Sequence, residues 1–312
     1  PCATRIVRTT QRLGAAGRCD VDTDRSNNSM SYQLIHGDCA QMMAQYIQND
    51  SIDLTVTSPP YDNLRTYNGF TFDFESIARQ LYRVTKPGGV VVWVVGDKSE
   101  SHSESLTSFK QACFFVDIAR FNLLDTMIYK KSGATYRHNH LVYPQSFEYM
   151  FVLSKGKPKT FNPIIDKKNT QAGKKITGTV RNNNGTLKPA HNMNQVLDLV
   201  GMRDNVWTYN TGFMNSTSDK NAFEHPAIFP ESLAKDHILS WSNPGDLVLD
   251  PFVGSGTTGK MALSLQRDFI GIDVSSEYLE IARDRIEKAT YQPSLFTPQP
   301  TQWEPVAMFG DD

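Results

Sequence analysis

Leu247-Val248-Leu249-Asp250-Pro251-Phe252-Val253-Gly254-Ser255-Gly256-Thr257-Thr258 decides the fold of this 312-residue chain. Aliphatic residues run into an acid, two glycines spaced one apart follow, and residues 257–265 then read as a helix. A strand leading into a glycine turn with a helix leading out is the unit of a parallel α/β sheet, and the turn lets a ligand approach backbone N–H groups. A G-x-G alone also fits a plain tight turn. The spacing to Asp273 adds weight, because that acid ends the next expected strand, where a carboxylate can take both hydroxyls of a ribose. Residues 254–260 also satisfy G-x-x-x-x-G-K, the opening of a phosphate-binding loop. Met261 then stands where Mg²⁺ needs a hydroxyl, which argues against nucleotide hydrolysis.

Outward from this turn the chain alternates strand-like and helix-like segments. Strands are expected over 32–36, 52–57, 90–95, 247–250 and 269–272. Helices are expected over 39–47, 74–84, 108–115, 230–241, 257–265 and 276–289. Residues 90–95 are continuously apolar, as in a strand buried on both faces of a parallel sheet. Lys86-Pro87-Gly88-Gly89 before them reads as a turn. Segments 127–130 and 148–153 read as two antiparallel strands at a sheet edge.

Composition changes at Ser154. Residues 155–220 hold 11 Lys plus Arg against 4 Asp plus Glu, with many Asn and Gly and little periodicity, although the whole chain sums to −1. A basic, irregular insert therefore interrupts the sheet. Lys174, Lys175 and Arg181 lie in its Gly- and Asn-rich part and are candidates for contacting nucleic-acid phosphates. The expected organisation is a disordered or non-native tail over 1–29, one half of a domain over 30–154, the insert over 155–222, the second half over 223–289, and a Pro/Gln-rich tail over 290–312. Arg5, Arg8, Arg12 and Arg18 precede the first acid, Asp20, in faint likeness to a mitochondrial transit peptide.

The balanced charge excludes a histone-like protein and a wholly disordered acidic chain. No stretch nears the ~18 apolar residues of a membrane span. The four cysteines (Cys2, Cys19, Cys39, Cys113) have no C-x-x-C spacing, so reduced thiols and no zinc site are expected. The same reading expects no other metal, a soluble cytoplasmic or nucleoid-associated protein if bacterial or phage, and a nuclear one if eukaryotic. It leaves a homodimer open.

A second motif, Thr57-Ser58-Pro59-Pro60-Tyr61, follows the strand over 52–57, at the carboxyl end where open α/β sheets bind ligands. Two prolines remove two N–H donors and stiffen the turn, leaving carbonyls free to accept. A hydroxyl, a free carbonyl and an aromatic face suit an exocyclic amine on a flat heterocycle. Read alone, Pro-Pro is more often a rigid loop. Asp62 beside it is a candidate for orienting a base. Asp97 is expected to cap a turn, and His138 and His140 lack the third ligand of a metal site.

Taken together and in this order, the motifs resemble the amino-methylating DNA methyltransferases that use S-adenosylmethionine. They are most similar to the β class, in which the catalytic motif precedes the cofactor motif. The correspondence runs from about Tyr32 to Ile286. The resemblance implies a Rossmann-like methyltransferase sheet, mostly parallel with an antiparallel edge hairpin, and S-adenosyl-L-methionine as cofactor. It implies that Asp250, Pro251, Phe252, Gly254 and Gly256 form the methionine-binding turn, with Ser255, Thr257 and Thr258 in the same stretch. It places Asp273 on the ribose and Asp38 near the adenine. His225-Pro226-Ala227-Ile228-Phe229-Pro230, with Leu233, is similar to the helix entry that packs on the methionine end. The insert falls where this class carries its target-recognition region, which implies double-stranded DNA as partner.

Ser58, Pro59, Pro60 and Tyr61 are then the catalytic set. Ser before Pro-Pro looks like the cytosine-N4 subgroup, where adenine-N6 enzymes usually carry an acid; adenine N6 remains the alternative. Cytosine-C5 chemistry needs a cysteine following proline, and Pro1-Cys2 lies in the expected tail. Two rivals stay open: methylation of RNA or a protein amide, and an inactive DNA-binding module.

Overall fold

A computed structural model of the chain describes residues 30–60, 72–100, 103–135, 143–212, 215–219 and 229–291. The expected tail over 1–29, residues 292–312 of the other, Tyr61, Asp62, His138, His140 and the stretch 220–228 lie outside the described residues, whereas residues 290 and 291, expected in the tail, end the last helix.

The first half runs β1 (Tyr32–His36), α1 (Cys39–Tyr46), β2 (Ile52–Thr57), α2 (Phe74–Val84) and β3 (Thr85–Val95). The two-residue strands β4 (Ser99–Glu100) and β5 (Ser103–Glu104) pair with each other before α3 (Thr107–Asp117), β6 (Asn122–Thr135) and β7 (Gln145–Ser154). Five short strands follow: β8 (Ile165–Lys168), β9 (Thr179–Arg181), β10 (Leu187–Pro189), β11 (Val200–Met202) and β12 (Val206–Tyr209). The chain closes with α4 (Glu231–Trp241), β13 (Leu247–Asp250), α5 (Thr257–Ser264), β14 (Asp268–Asp273) and α6 (Ser276–Tyr291). Side-chain caps mark several helix starts, among them Ser275 before α6, whose hydroxyl accepts from the Tyr278 amide. Asp38 accepts from the Gln41 amide and Asp73 from the Ser76 amide and hydroxyl, each cap worth about 1 kcal/mol.

Eight strands form one sheet in the order β1-β14-β13-β2-β3-β7-β6-β12, and all run the same way except β7. Alternation along β3 explains the three layers. Val90, Val92 and Val94 face one side with Leu233, Ile238, Ala262 and Ala282 of α4–α6; Val91, Trp93 and Val95 face the other with Met43, Ile77, Leu81 and Phe115 of α1–α3. All these strand residues are buried, each aliphatic contributing roughly 1.5–3 kcal/mol. The one polar atom of Trp93, its indole N–H, donates to Gln111 at 2.8 Å.

The structure departs from the sequence reading in three places. Lys86-Pro87-Gly88-Gly89 is not a free turn but a bulge inside β3: Ile52 pairs with Thr85, Leu54 with Val90, and Gly88 takes φ +83. The amide of Gly88 donates to the Lys155 carbonyl, so the extra residues are paired after all. Secondly, the β6–β7 pair is not the outermost, because β12 adds in parallel outside β6.

The third departure is the insert, whose middle is an ordered two-stranded ribbon. Pairing runs from Ile165↔Met202 and Lys168↔Val200, through Lys175↔Val196, to Val180↔Lys188 and Arg181↔Leu187. Between these, Asn169 donates to Leu199 and Ile176 to Gln195, and the tip closes with Asn182 donating to Thr186. At the base, Arg203 binds Asp166 and, at 2.6 Å, Asp236 of α4, while Tyr209 donates to the same Asp236 at 2.7 Å. Asn162 lies nearer the end of α4, donating to the carbonyls of Leu239 and Ser242. The outgoing strand therefore follows α4 back toward Glu231.

Candidate active site

Because β1, β14, β13, β2 and β3 are parallel, their carboxyl ends share one edge of the sheet. Register places His36 beside Asp273, Asp250 beside Gly271, and Thr57 beside Trp93. The loops that leave these ends hold Asp38, Ser58-Pro59-Pro60, the glycine turn and Asp273. Strand order thus brings together residues more than 200 positions apart.

The turn after β13 is shaped by its glycines. Gly254 and Gly256 take φ +47 and +79, the left-handed region that favours glycine. A Cβ on Gly256 would lie 2.7 Å from the Cα of Ala282, so the backbone of α6 packs directly on the turn. Asp273 secures the turn from beside it, accepting from the amides of Gly254 and Ser275, both at 2.9 Å. Its carbonyl accepts from the amide of Gly37, which brings Asp38 to the same rim.

Asp250 lies beneath. It is 5% exposed, and its Oδ1 accepts from the Thr57 hydroxyl at 2.6 Å and the Phe252 amide at 3.1 Å. Burial pushes its carboxyl up to about 6 despite these bonds, and burial also raises Asp273. Neither carboxylate forms an ion pair among the described residues. Two desolvated acids around a glycine turn are a setting that a cationic, hydroxyl-bearing ligand would relieve. The residues present therefore fit S-adenosylmethionine: Asp250 can take an ammonium group and Asp273 ribose hydroxyls.

Ser58 and Pro60 are half-buried and Pro59 is buried at the end of β2. Thr57, one residue earlier, links this segment to Asp250. Phe252 sits 6.2 Å from the Trp93 ring, and Thr258 donates to the carbonyl of Val56, tying α5 to β2. Phe229 packs against the core and Pro230 is the N-cap of α4, whereas residues 225–228 are outside the described set. Lys174, Lys175 and Arg181 lie exposed on the ribbon, apart from the turn. Asp97, expected to cap a turn, instead reaches the start of α3, where it accepts from the Ser108 amide and hydroxyl and from the Ser105 hydroxyl.

A group that sequence reasoning missed lies directly behind the turn. Arg285, Lys260, Asp219 and Glu231 form a charge-balanced cluster, with Lys260 donating to both acids at 2.8 Å. Lys260, the lysine of the apparent phosphate loop, is thus committed to two carboxylates. Nothing marks Asp219, Glu231 or Arg285 in the sequence, since single charges on loops and amphipathic helices usually face solvent, and the pattern that marks Lys260 points to a phosphate rather than to these acids.

Comparison with known proteins agrees with this geometry. The DNA methylase family model, covering N6 and N4 enzymes, matches residues 52–284. The orphan methyltransferase M.BamHII of Bacillus amyloliquefaciens is 54% identical over 247 residues, covering 78% of this chain and 92% of that protein. The DNA adenine methyltransferase YhdJ of Escherichia coli (strain K12) is 28% identical over 272 residues, 83% of each chain. Among solved structures, PvuII DNA methyltransferase (cytosine-N4-specific) superposes with a TM-score of 0.60 at 19% identity, over 84% of this chain and 91% of that one, a likeness of fold. The chain belongs to the DNA methylase family whose members transfer a methyl group from S-adenosylmethionine to an exocyclic amino group, N6 or N4, of a DNA base.

Proposed function

We propose that the protein methylates the N4 amine of cytosine in double-stranded DNA. The observation that carries this reading is Ser58, the residue between Thr57, whose hydroxyl is bonded to Asp250, and Pro59-Pro60. The residue before the prolines is a neutral hydroxyl where an acid would favour adenine N6. Its neighbour Thr57 ties it to the carboxylate under the cofactor turn.

Stacked in a duplex, the amine is out of reach, so the nucleotide is flipped out at a cost of roughly a few kcal/mol. Tyr61 stacks on the flipped base. The Ser58 hydroxyl and the Pro59 carbonyl accept hydrogen bonds from the amine protons and hold the nitrogen lone pair toward the glycine turn. S-adenosylmethionine bound there would supply a sulfonium methyl: as the nitrogen–carbon bond forms, the sulfur–carbon bond would break to leave a neutral thioether, and the methylated nitrogen would release one of its protons to solvent. Asp250, Pro251, Phe252, Gly254, Ser255, Gly256, Thr257, Thr258, Phe229 and Pro230 would hold the methionine end, Asp273 the ribose and Asp38 the adenine. Positioning supplies much of the rate, and no covalent enzyme intermediate forms.

The ribbon acts as the target-recognition element, its Lys174, Lys175 and Arg181 meeting phosphates. The test is methyl transfer from labelled S-adenosylmethionine to plasmid DNA, with the nucleosides identified by mass spectrometry. N4-methylcytosine is expected; N6-methyladenine as the only product overturns the reading.

A further inference from the structure

We infer that Arg285 is a positioning residue for the methyl-donor site, holding the glycine turn in its binding shape from behind. Its side chain is 1% exposed, yet its donors are spent on three separate segments of chain. One terminal nitrogen, Nη1, donates to the Ser255 carbonyl at 2.5 Å, the Ser255 hydroxyl at 3.0 Å and the Thr257 hydroxyl at 3.1 Å. The other, Nη2, donates to Glu231 at 2.8 Å and Thr217 at 3.4 Å, and Nε donates to Asp219 at 3.0 Å.

The first set lies within the turn itself, between the two left-handed glycines and the first residue of α5. Ser255 has one backbone carbonyl, and its orientation sets where the peptide between Ser255 and Gly256 points its N–H. The second set reaches Glu231, two residues after Phe229, and the third reaches the loop 215–219 at the end of the insert. Arg285 is also one helical turn beyond Ala282, the point where α6 touches Gly256. One planar fork therefore fixes the turn, the start of α4 and the returning chain relative to one another. A lysine could keep the charge but not this set of directions.

Burial alone does not make a positioning residue, and Arg267 provides the contrast. It is 4% exposed and likewise forked, donating to the Ser242 carbonyl and hydroxyl and to the Leu265 carbonyl. It precedes β14, at the sheet edge opposite the turn. A purely structural role predicts that the two arginines behave alike.

The inference rests on the reading that the glycine turn holds S-adenosylmethionine, so the wild-type titration comes first: no binding there would fail that reading instead. The experiment compares Arg285→Lys with Arg267→Lys by calorimetric titration of S-adenosylmethionine, thermal unfolding, and amide exchange of residues 254–257 without ligand. Arg285→Lys is expected to bind the donor about 10- to 100-fold more weakly, as for lost charge-assisted bonds. Its turn amides should exchange faster in the ligand-free protein, and kcat at saturating donor should stay within about threefold. Arg267→Lys should lower the melting temperature while leaving donor affinity unchanged. Equal donor affinity in Arg285→Lys and wild type, or equal weakening by both substitutions, overturns the assignment. Should Arg285→Lys fail to fold, Glu231→Gln, which weakens one arm of the fork at a residue outside the donor site, takes its place with the same expected direction, and unchanged turn exchange in it counts against the proposal.

Discussion

The five parallel strands at the heart of the sheet and the ribbon between residues 165 and 202 are both β-structure, but different forces hold them. In β3 each side chain from Val90 to Val95 is buried on one face or the other. On the ribbon the strands β8, β9 and β10 are exposed at every residue. A two-stranded ribbon with no covered face is marginal in water and depends on its backbone pairs, its turns and what it meets. The sheet is thus a rigid platform for chemistry, and the ribbon an element whose residues answer to a partner.

The largest effect expected from this contrast is on glycines. Gly256→Ala forces a Cβ to 2.7 Å from Ala282 and a left-handed φ on alanine. The sum of overpacking and backbone strain is about 2–4 kcal/mol. Gly185→Ala at the ribbon tip meets the same φ problem, +84, in open space, so about 1 kcal/mol is expected. Urea unfolding midpoints separate the two. Equal losses would mean that the close approach of α6 to the turn carries no energy.

Asp250→Asn sharpens the comparison inside the platform, because stability and binding should move in opposite directions. Asparagine can keep both bonds to Oδ1, from Thr57 and Phe252, while the charge disappears. Burial raises this carboxyl from 3.8 to about 6. A raised folded value means that the ligand-free protein loses stability as pH rises from about 4 through 6, by on the order of 2–3 kcal/mol once fully ionised. At pH 7.5 ligand-free Asp250→Asn should therefore melt higher than wild type. Donor affinity should fall roughly 10- to 150-fold through the lost charge-assisted bond. Wild-type affinity should itself weaken as pH drops below about 6. Calorimetry between pH 5 and 8 with melting curves checks all three, and a variant that melts lower while binding normally would remove Asp250 from the site.

The same contrast explains what was legible in the sequence. Strands of the parallel core carry short aliphatic stretches, Leu34-Ile35 in β1, Leu54 and Val56 alternating with threonines in β2, and Leu247-Val248-Leu249 in β13, so the bounds of these three can be read directly, and Pro and Gly mark the ends of helices. The motif residues of the site could be found because each lies where such a run stops. The ribbon lacks this signal for a physical reason. Its cross-strand pairs set a cation against an aliphatic (Lys168 with Val200, Lys175 with Val196, Lys188 with Val180, Arg181 with Leu187), so no face is selected for burial and no period-2 pattern survives. β12 was hidden likewise: four residues, of which Trp207 and Tyr209 are buried, give too short a pattern among Asn and Asp. Arg285 was hidden because a buried arginine and an exposed one look alike until the fold supplies its acceptors.

The smallest expected change in stability, and the one most specific to the ribbon, comes from Lys174→Gln with Lys175→Gln. Both side chains are exposed, and the nearby pairing is by backbone, so unfolding free energy should stay within about 0.5 kcal/mol of wild type. Their ammonium groups add to a stretch whose other cations are partly neutralised: Lys167 by Asp204 and Arg203 by Asp166 and Asp236. The tip and middle therefore carry most of the ribbon's uncompensated positive charge. If these lysines meet phosphates, each contact releases condensed counterions, and the log–log dependence of DNA affinity on salt should become shallower by about one to two units. The weakening should be uniform across DNA sequences, because phosphates carry no base identity. Donor affinity should not change, since the turn is held by Asp273 and α6 rather than by the ribbon. Binding isotherms at several salt concentrations measure the slope directly. An unaltered slope with unaltered affinity would leave the two lysines as a solvated surface and move the DNA contact to another part of the chain.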